Sequence, residues 1–244
     1  MKKIILFAAL ALMLGAAAQP SGAADLCSGV TKEFLSSKLP FKVDEVLDKQ
    51  PLPDYKLCQV IIRAQSDKGT AYVTANKQGV LLGNLFVNKQ AYAEKAMNTM
   101  NERSFRKNEK NLPGVVAFSY KPTGAKKAIY MFTDPDCPAC NQTKAEVQQW
   151  AFEKKVEVRV VLFPLPMHPA AKDKSIKGIC GNMTFDHYIR GEYPGQSCKD
   201  GEKKVEDSIR MASELGIDGT PSFIGPTGKK TTGFSRQALD RIVQ

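Results

Sequence analysis

The 244-residue sequence carries only two histidines and one tryptophan, and its 25 acidic residues fall short of its 35 lysines and arginines. Scarce imidazole argues against a histidine-built metal centre. His168 and His187 lack ligand-like spacing, and no second Cys-x-x-Cys exists to complete a tetrahedral zinc site, so no metal or cofactor is expected. Fourteen prolines and eighteen glycines are ordinary numbers that exclude collagen-like and low-complexity chains. A mean hydropathy of -0.29 excludes a multi-span membrane protein. The basic excess is spread from Lys32 to Lys230 without a helix of interleaved aromatics, so a solvated surface is expected and no nucleic-acid partner. With 43% hydrophobic and 25% charged residues the chain can build a core, and its length suits one large domain or two modest ones.

Lys2 and Lys3 precede the uncharged apolar stretch Ile4 to Leu14 and then small residues, the pattern of a secretory signal peptide. The stretch is too short to cross a hydrocarbon core of roughly 30 Å. Cleavage is expected after Ala24, making residues 1–24 the signal peptide and leaving 33 basic against 25 acidic residues, a formal charge of +8. All six cysteines lie in the exported part, where disulfides persist. Neighbours in sequence close the smallest loops, which pairs Cys27 with Cys58, Cys137 with Cys140 and Cys180 with Cys198. Loops of about 32 and 19 residues stabilise by about 3 to 4 kcal/mol each in the chain-entropy model, whereas a bridge over two residues is strained and easily reduced. Cys27, Cys58, Cys180 and Cys198 therefore read as structural staples, and Cys137 and Cys140 as chemistry.

A short helix is expected from about Ser28 to Lys38, followed by strands at Phe41–Val46, Leu57–Arg63, Ala71–Thr74 and Val80–Val87 with turn residues between them. This is a small antiparallel sheet with one helix, over residues 25–90. Its core is thin, so help from the Cys27–Cys58 bridge or a second subunit is expected. Residues 91–112 read as a helical linker, too poor in apolar positions for a buried helix and stopped by Asn111-Leu112-Pro113-Gly114. Residues 113–244 alternate: a strand Ala128–Thr133, a helix from Pro138 to Lys155 and a strand Val156–Phe163, which together argue for a βαβ unit. A Lys- and Gly-rich insertion then carries Cys180 and Cys198. After it come a helix from about Gly201 to Leu215, short strands at Ser222–Ile224 and Thr231–Gly233, and a last helix after Ser235.

The informative string is Thr133-Asp134-Pro135-Asp136-Cys137-Pro138-Ala139-Cys140, running from a strand end into a first helical turn. Unpaired N–H groups at a helix start favour a thiolate on Cys137, the nucleophile. Pro138 suits the first turn because it needs no N–H there, and Cys140, one turn deeper, can attack a mixed disulfide on Cys137. Covalent haem is excluded because Asn141 rather than histidine follows Cys140. A purely structural disulfide is the rival reading. His168 and His187 are far from the string and receive no role, Trp150 reads as a packing residue, and Lys172–Lys177 as a solvated face.

The second element is Gly219-Thr220-Pro221-Ser222-Phe223 before an apolar strand, and here the chain resembles the thioredoxin superfamily. That resemblance implies a cis Thr220–Pro221 bond facing the Cys-x-x-Cys, with exposed backbone that pairs with an extended substrate. Taken together, the small sheet domain, the linker helix, the active-site string, Phe163-Pro164, the Cys180/Cys198 pair and Gly219-Thr220-Pro221 resemble the DsbC/DsbG family of periplasmic disulfide isomerases over nearly the whole exported chain. The resemblance implies an α+β protein: a cystatin-like amino-terminal dimerisation domain, a linker helix and a thioredoxin-like catalytic domain with a helical insertion. It further implies a V-shaped homodimer in the periplasm that reduces and rearranges wrong disulfides in misoxidised or unfolded secreted proteins and is kept reduced by a DsbD-like membrane reductase. Pro138-Ala139 stands where the isomerases commonly have Gly-Tyr, a place that tunes redox potential, so a reductase or oxidase of other specificity and a non-catalytic holdase are the alternatives.

Overall fold

The computed structural model describes residues 26–65 and 67–244; the expected signal peptide, 1–24, lies outside them. The chain separates into two compact units, Met1–Gly83 and Asn84–Gln244.

In the first unit a helix, α1 (Lys32–Lys38), precedes a four-stranded antiparallel sheet of order β1-β2-β3-β4: β1 (Glu45–Leu52), β2 (Leu57–Ala64), β3 (Asp67–Thr74) and β4 (Val80–Leu82). Thr31 caps α1 by accepting the Phe34 N–H at 3.2 Å, and Leu35 is wholly buried. Alternate residues of β2 and β3, namely Cys58, Val60, Ile62, Ala71 and Val73, meet Val30, Leu35 and Val43 in one core cluster. The Cys27–Cys58 disulfide, with Cα atoms 5.1 Å apart, ties the segment before α1 into that core.

Three strand expectations shift. The strand expected at Ala71–Thr74 begins four residues earlier, at Asp67, where Asp67-Lys68-Gly69 pairs with β2 instead of turning. The first strand lies at Glu45–Leu52 rather than 41–46, and Pro51 sits inside it opposite Cys58. This is tolerated because β1 is an edge strand, where a missing N–H can face away from the ladder. The turn falls later, at a 3₁₀ segment Pro53–Tyr55 closed by left-handed Lys56. The single strand expected at 80–87 stops at Leu82, since Gly83 turns the chain with φ +127°.

In the second unit a two-residue hairpin, β5 (Phe86–Val87) and β6 (Gln90–Ala91), leads into α2 (Tyr92–Asn108). This helix, expected as a linker without a buried face, buries Phe105 in a cluster with Met211, Leu215 and Ile224. One aromatic residue per several turns is too weak a pattern to reveal such an anchor in sequence. A five-stranded sheet follows, of order β11-β10-β8-β9-β7: β7 (Phe118–Tyr120), β8 (Lys127–Thr133), β9 (Val156–Leu162), β10 (Ser222–Ile224) and β11 (Lys230–Thr232). β8 and β9 are parallel and joined by α3 (Pro138–Lys154); the other pairings are antiparallel. The three-residue β7 was not expected: Phe118-Ser119-Tyr120 alternates, but over too few residues to mark a strand.

The central strands are buried on both faces, as their apolar runs require. Ile129, Met131, Val158 and Val160 join Val147 and Trp150 of α3 in one cluster, while Tyr130, Phe132 and Val161 face Met211 and Ala212 in another. The insertion is helical: α4 (Ala171–Cys180) and α5 (Phe185–Arg190), closed by the Cys180–Cys198 disulfide at the start of α6 (Lys199–Glu214). Its two arms touch at Gly181 and Gly195, where a Cβ on Gly181 would meet the Pro194 carbonyl oxygen at 2.0 Å. The chain ends in α7 (Arg236–Ile242), capped by Ser235 and held by the Trp150 indole N–H donating to Asp240 at 3.0 Å.

Candidate active site

β8 ends at Thr133, and a three-residue loop delivers Cys137 to the N-cap of α3, with Pro138 in its first turn. The first-turn N–H groups have no helical acceptor, so Cys137 meets the positive end of the helix dipole. Ser222 pairs with Phe132 in the sheet, which sets the residues just before β10 beside the end of β8. The Thr220–Pro221 bond is cis. The Cys137 thiol donates to the Thr220 carbonyl oxygen at 3.4 Å, across 83 positions of sequence.

Both Cys137 and Cys140 are free thiols, and they differ in environment. Cys137 keeps 6% of its surface exposed and Cys140 none. Burial pushes the Cys140 thiol up to about 11, partly offset by the neighbouring Asp134 backbone and Thr133 side chain. A first cysteine that keeps a little exposure at the helix start and a wholly buried second one form an ordered pair for thiol exchange: one positioned to meet a substrate, the other able to react only with its neighbour.

Further polar groups lie in and beside the active-site loop. The Asp134 carboxylate is fully buried; Oδ1 accepts the Asp136 N–H at 2.7 Å and Oδ2 the Leu165 N–H at 2.6 Å. His168 Nδ1 lies 3.0 Å from the same Oδ2. His168 thus comes to the base of the active-site loop, whereas His187 completes a capping box with Thr184 on α5. Lys174 pairs with Asp136, so the stretch read as a solvated face reaches the site through that residue. From the insertion, the Tyr188 hydroxyl lies 2.7 Å from Thr133 Oγ1, both groups buried. Tyr193 is half-buried nearby, its hydroxyl pushed up by desolvation and by Asp136 and Asp134.

Cys137, Cys140, Pro138, Ala139, Thr220 and Pro221 therefore converge, with Cys180–Cys198 bracing the insertion and Cys27–Cys58 lying in the first unit's core. Asp134 and Thr133 were visible in the sequence only as flanks of the motif; Tyr188 and His168 offered no signal because their partners are 55 and 34 positions away. No group of three or more metal-ligating side chains forms among the described residues, and no helix there is long and apolar enough to cross a membrane.

A family model described as a thioredoxin-like domain matches residues 117–242, just over half of the chain. A thiol:disulfide interchange protein, DsbC of Salmonella typhimurium, is 23% identical over 171 residues, covering 68% of each chain. Among solved structures, a linker-deletion variant of Proteus mirabilis ScsC superposes with a TM-score of 0.51 at 17% identity, over 62% of this chain and 83% of that one. The isolated catalytic domain of the same protein gives 0.49 at 16% identity, over 58% and 96%.

Proposed function

Since the chain belongs to the thioredoxin-like domain family, we propose that it is a thiol:disulfide interchange protein of the exported compartment that reduces and rearranges wrong disulfides in secreted proteins. The observation that carries the reading is the Cys137 sulfur at a helix N-terminus, 3.4 Å from the carbonyl before cis-Pro221, with Cys140 buried behind it. The Cys137 thiolate attacks a substrate disulfide, forming a mixed disulfide and releasing one substrate thiolate. Thr220 and Pro221 offer backbone to an extended substrate segment at that sulfur.

Two exits follow. A substrate thiolate attacks the mixed disulfide and leaves a rearranged substrate with Cys137 reduced. Alternatively Cys140 attacks, releasing reduced substrate and forming Cys137–Cys140. The second exit requires an outside electron donor, for which a DsbD-like membrane reductase is the proposed partner. Pro138 and Ala139 tune the balance between exits. The amino-terminal unit is proposed as the dimerisation domain of a periplasmic homodimer. Support comes from β4, an edge strand of its sheet with Leu81 and Leu82 exposed at 59% and 51%, an arrangement that a second copy can cover.

The test is reactivation of a scrambled, multiply disulfide-bonded substrate. Wild-type protein accelerates it, Cys137→Ser abolishes the acceleration, and Cys140→Ser retains rearrangement while trapping mixed disulfides. Reshuffling by Cys137→Ser at the wild-type rate would sink the mechanism. Suppression of aggregation by the Cys137→Ala/Cys140→Ala variant without any reshuffling by wild type would favour the holdase instead.

A further inference from the structure

The three carbonyls of Gly219-Thr220-Pro221 are engaged in different ways. Ser222 Oγ lies 2.7 Å from the Gly219 carbonyl oxygen and 3.1 Å from Thr232 Oγ1. The Pro221 carbonyl accepts the Gly233 N–H at 2.8 Å. Between them, the Thr220 carbonyl accepts the Cys137 thiol at 3.4 Å. Two of the three carbonyls are thus held by Ser222 of β10 and by Gly233, just after β11, and the third is turned to the nucleophile.

Counting protons gives the direction of the hydroxyl chain. A carbonyl oxygen only accepts, so Ser222 gives its single proton to Gly219, and its lone pairs are left for Thr232 to donate to. Ser222 keeps 2% of its surface exposed, and a hydroxyl so buried costs free energy unless bonded. Thr232 stands directly opposite it on β11, an edge strand of the sheet. The Thr232 methyl group lies 3.9 Å from where a Cβ on Gly219 would stand, so this side chain reaches the turn as well as Ser222. The bracket spans Thr220 and fixes its backbone from both sides.

Building on the exchange reading above, we propose that Ser222 is a positioning residue for substrate docking, oriented by Thr232: its hydroxyl holds the turn so that the Thr220 carbonyl faces the Cys137 sulfur as a preset acceptor. In the loading step the Cys137 sulfur bonds to one sulfur of a substrate disulfide, the substrate S–S bond breaks, and the other substrate sulfur leaves with the proton that Cys137 lost. The Cys137 sulfur then has no proton to donate, so the Thr220 carbonyl passes from the thiol to a backbone N–H of the attached substrate. The substrates favoured by this arrangement are disulfides flanked by extended peptide, over small disulfides that carry no backbone N–H.

The experiment compares two oxidants of the reduced full chain: the disulfide-linked dimer of a short peptide with a central cysteine, and hydroxyethyl disulfide, which has no peptide N–H. Loading is read by acid quench and intact mass as the disappearance of reduced protein. Ser222→Ala is expected to load from the peptide disulfide roughly three- to tenfold more slowly, and from hydroxyethyl disulfide within about twofold of the wild-type rate. Thr232→Val, at an exposed position, is expected to slow peptide loading roughly two- to threefold, Thr232→Ser to restore it, and Thr232→Val to add nothing in the Ser222→Ala background. Wild-type peptide loading in either Ser222→Ala or Thr232→Val, or equal slowing with the two disulfides, overturns the proposal. If the wild type reacts with neither disulfide, the exchange reading itself falls. Positioning is then decided by the Thr220 ¹³C carbonyl resonance, which moves in Thr232→Val and returns in Thr232→Ser if the hydroxyl pair sets that carbonyl, and stays in place if it does not.

Discussion

The resolving step is expected to run against a steep protonation barrier, and its pH profile is the most direct check on the site. Burial raises the Cys140 thiol from 9.0 to about 11. A rise of that size leaves roughly a hundredfold less thiolate than an unperturbed thiol holds at the same pH. At pH 7, about one Cys140 in ten thousand is ionised. Only the thiolate attacks, and an acid with a raised pKa ionises later as pH climbs. The rate of Cys140 attack on a Cys137–glutathione disulfide should therefore rise about tenfold per pH unit from 7 to 10 and level near 11. The assay is acid-quenched single turnover of reduced protein with excess oxidised glutathione, read as the fraction of mixed disulfide by mass. Low pH should lengthen the life of the intermediate, and Cys140→Ala should leave it unresolved at every pH. A resolving rate flat between pH 7 and 10, or one that breaks near 9, would refute the reasoning by showing that burial does not govern this thiol.

Three further outcomes are expected. Asp134→Ala leaves the N–H groups of Asp136 and Leu165 without their acceptor and should cost about 3 kcal/mol in reversible denaturant unfolding, with an unchanged m-value; Asp134→Asn, which keeps an amide oxygen, should cost less. Gly181→Ala drives a methyl group to 2.0 Å from the Pro194 carbonyl oxygen, so thermal unfolding should show a loss of about 2 kcal/mol or more. Cys27→Ala/Cys58→Ala removes a bridge spanning 31 positions and should lower the stability of the first unit by about 3 kcal/mol, followed by hydrogen exchange of β2 and β3 amides.

Local chemistry was legible where the physical cause is itself local. Period-two apolar spacing placed β2 and the second half of β3 because alternate side chains must enter one core, and the Pro138 signal placed the start of α3 because a helix's first turn needs no N–H there. Strand ends were less legible: Pro51 was read as a turn, since a sequence does not say which strand will lie at a sheet edge. The anchoring of α2 through Phe105 was hidden for a similar reason, as one buried ring has no period.

By itself the sequence determined that six cysteines divide into separated pairs and a Cys137–Cys140 motif at a strand-to-helix turn, because spacing, proline and the helix N-terminus act within a few residues. Only the tertiary structure decided what surrounds that motif. Pairing of Ser222 with Phe132 brings the Thr220 carbonyl to Cys137, folding of the insertion brings Tyr188 to Thr133, and the loop after β9 brings Leu165 and His168 to Asp134. Those meetings span from 31 to 83 positions of sequence. They arise because buried polar groups must find partners wherever packing places them, a requirement that leaves no periodic trace in the chain.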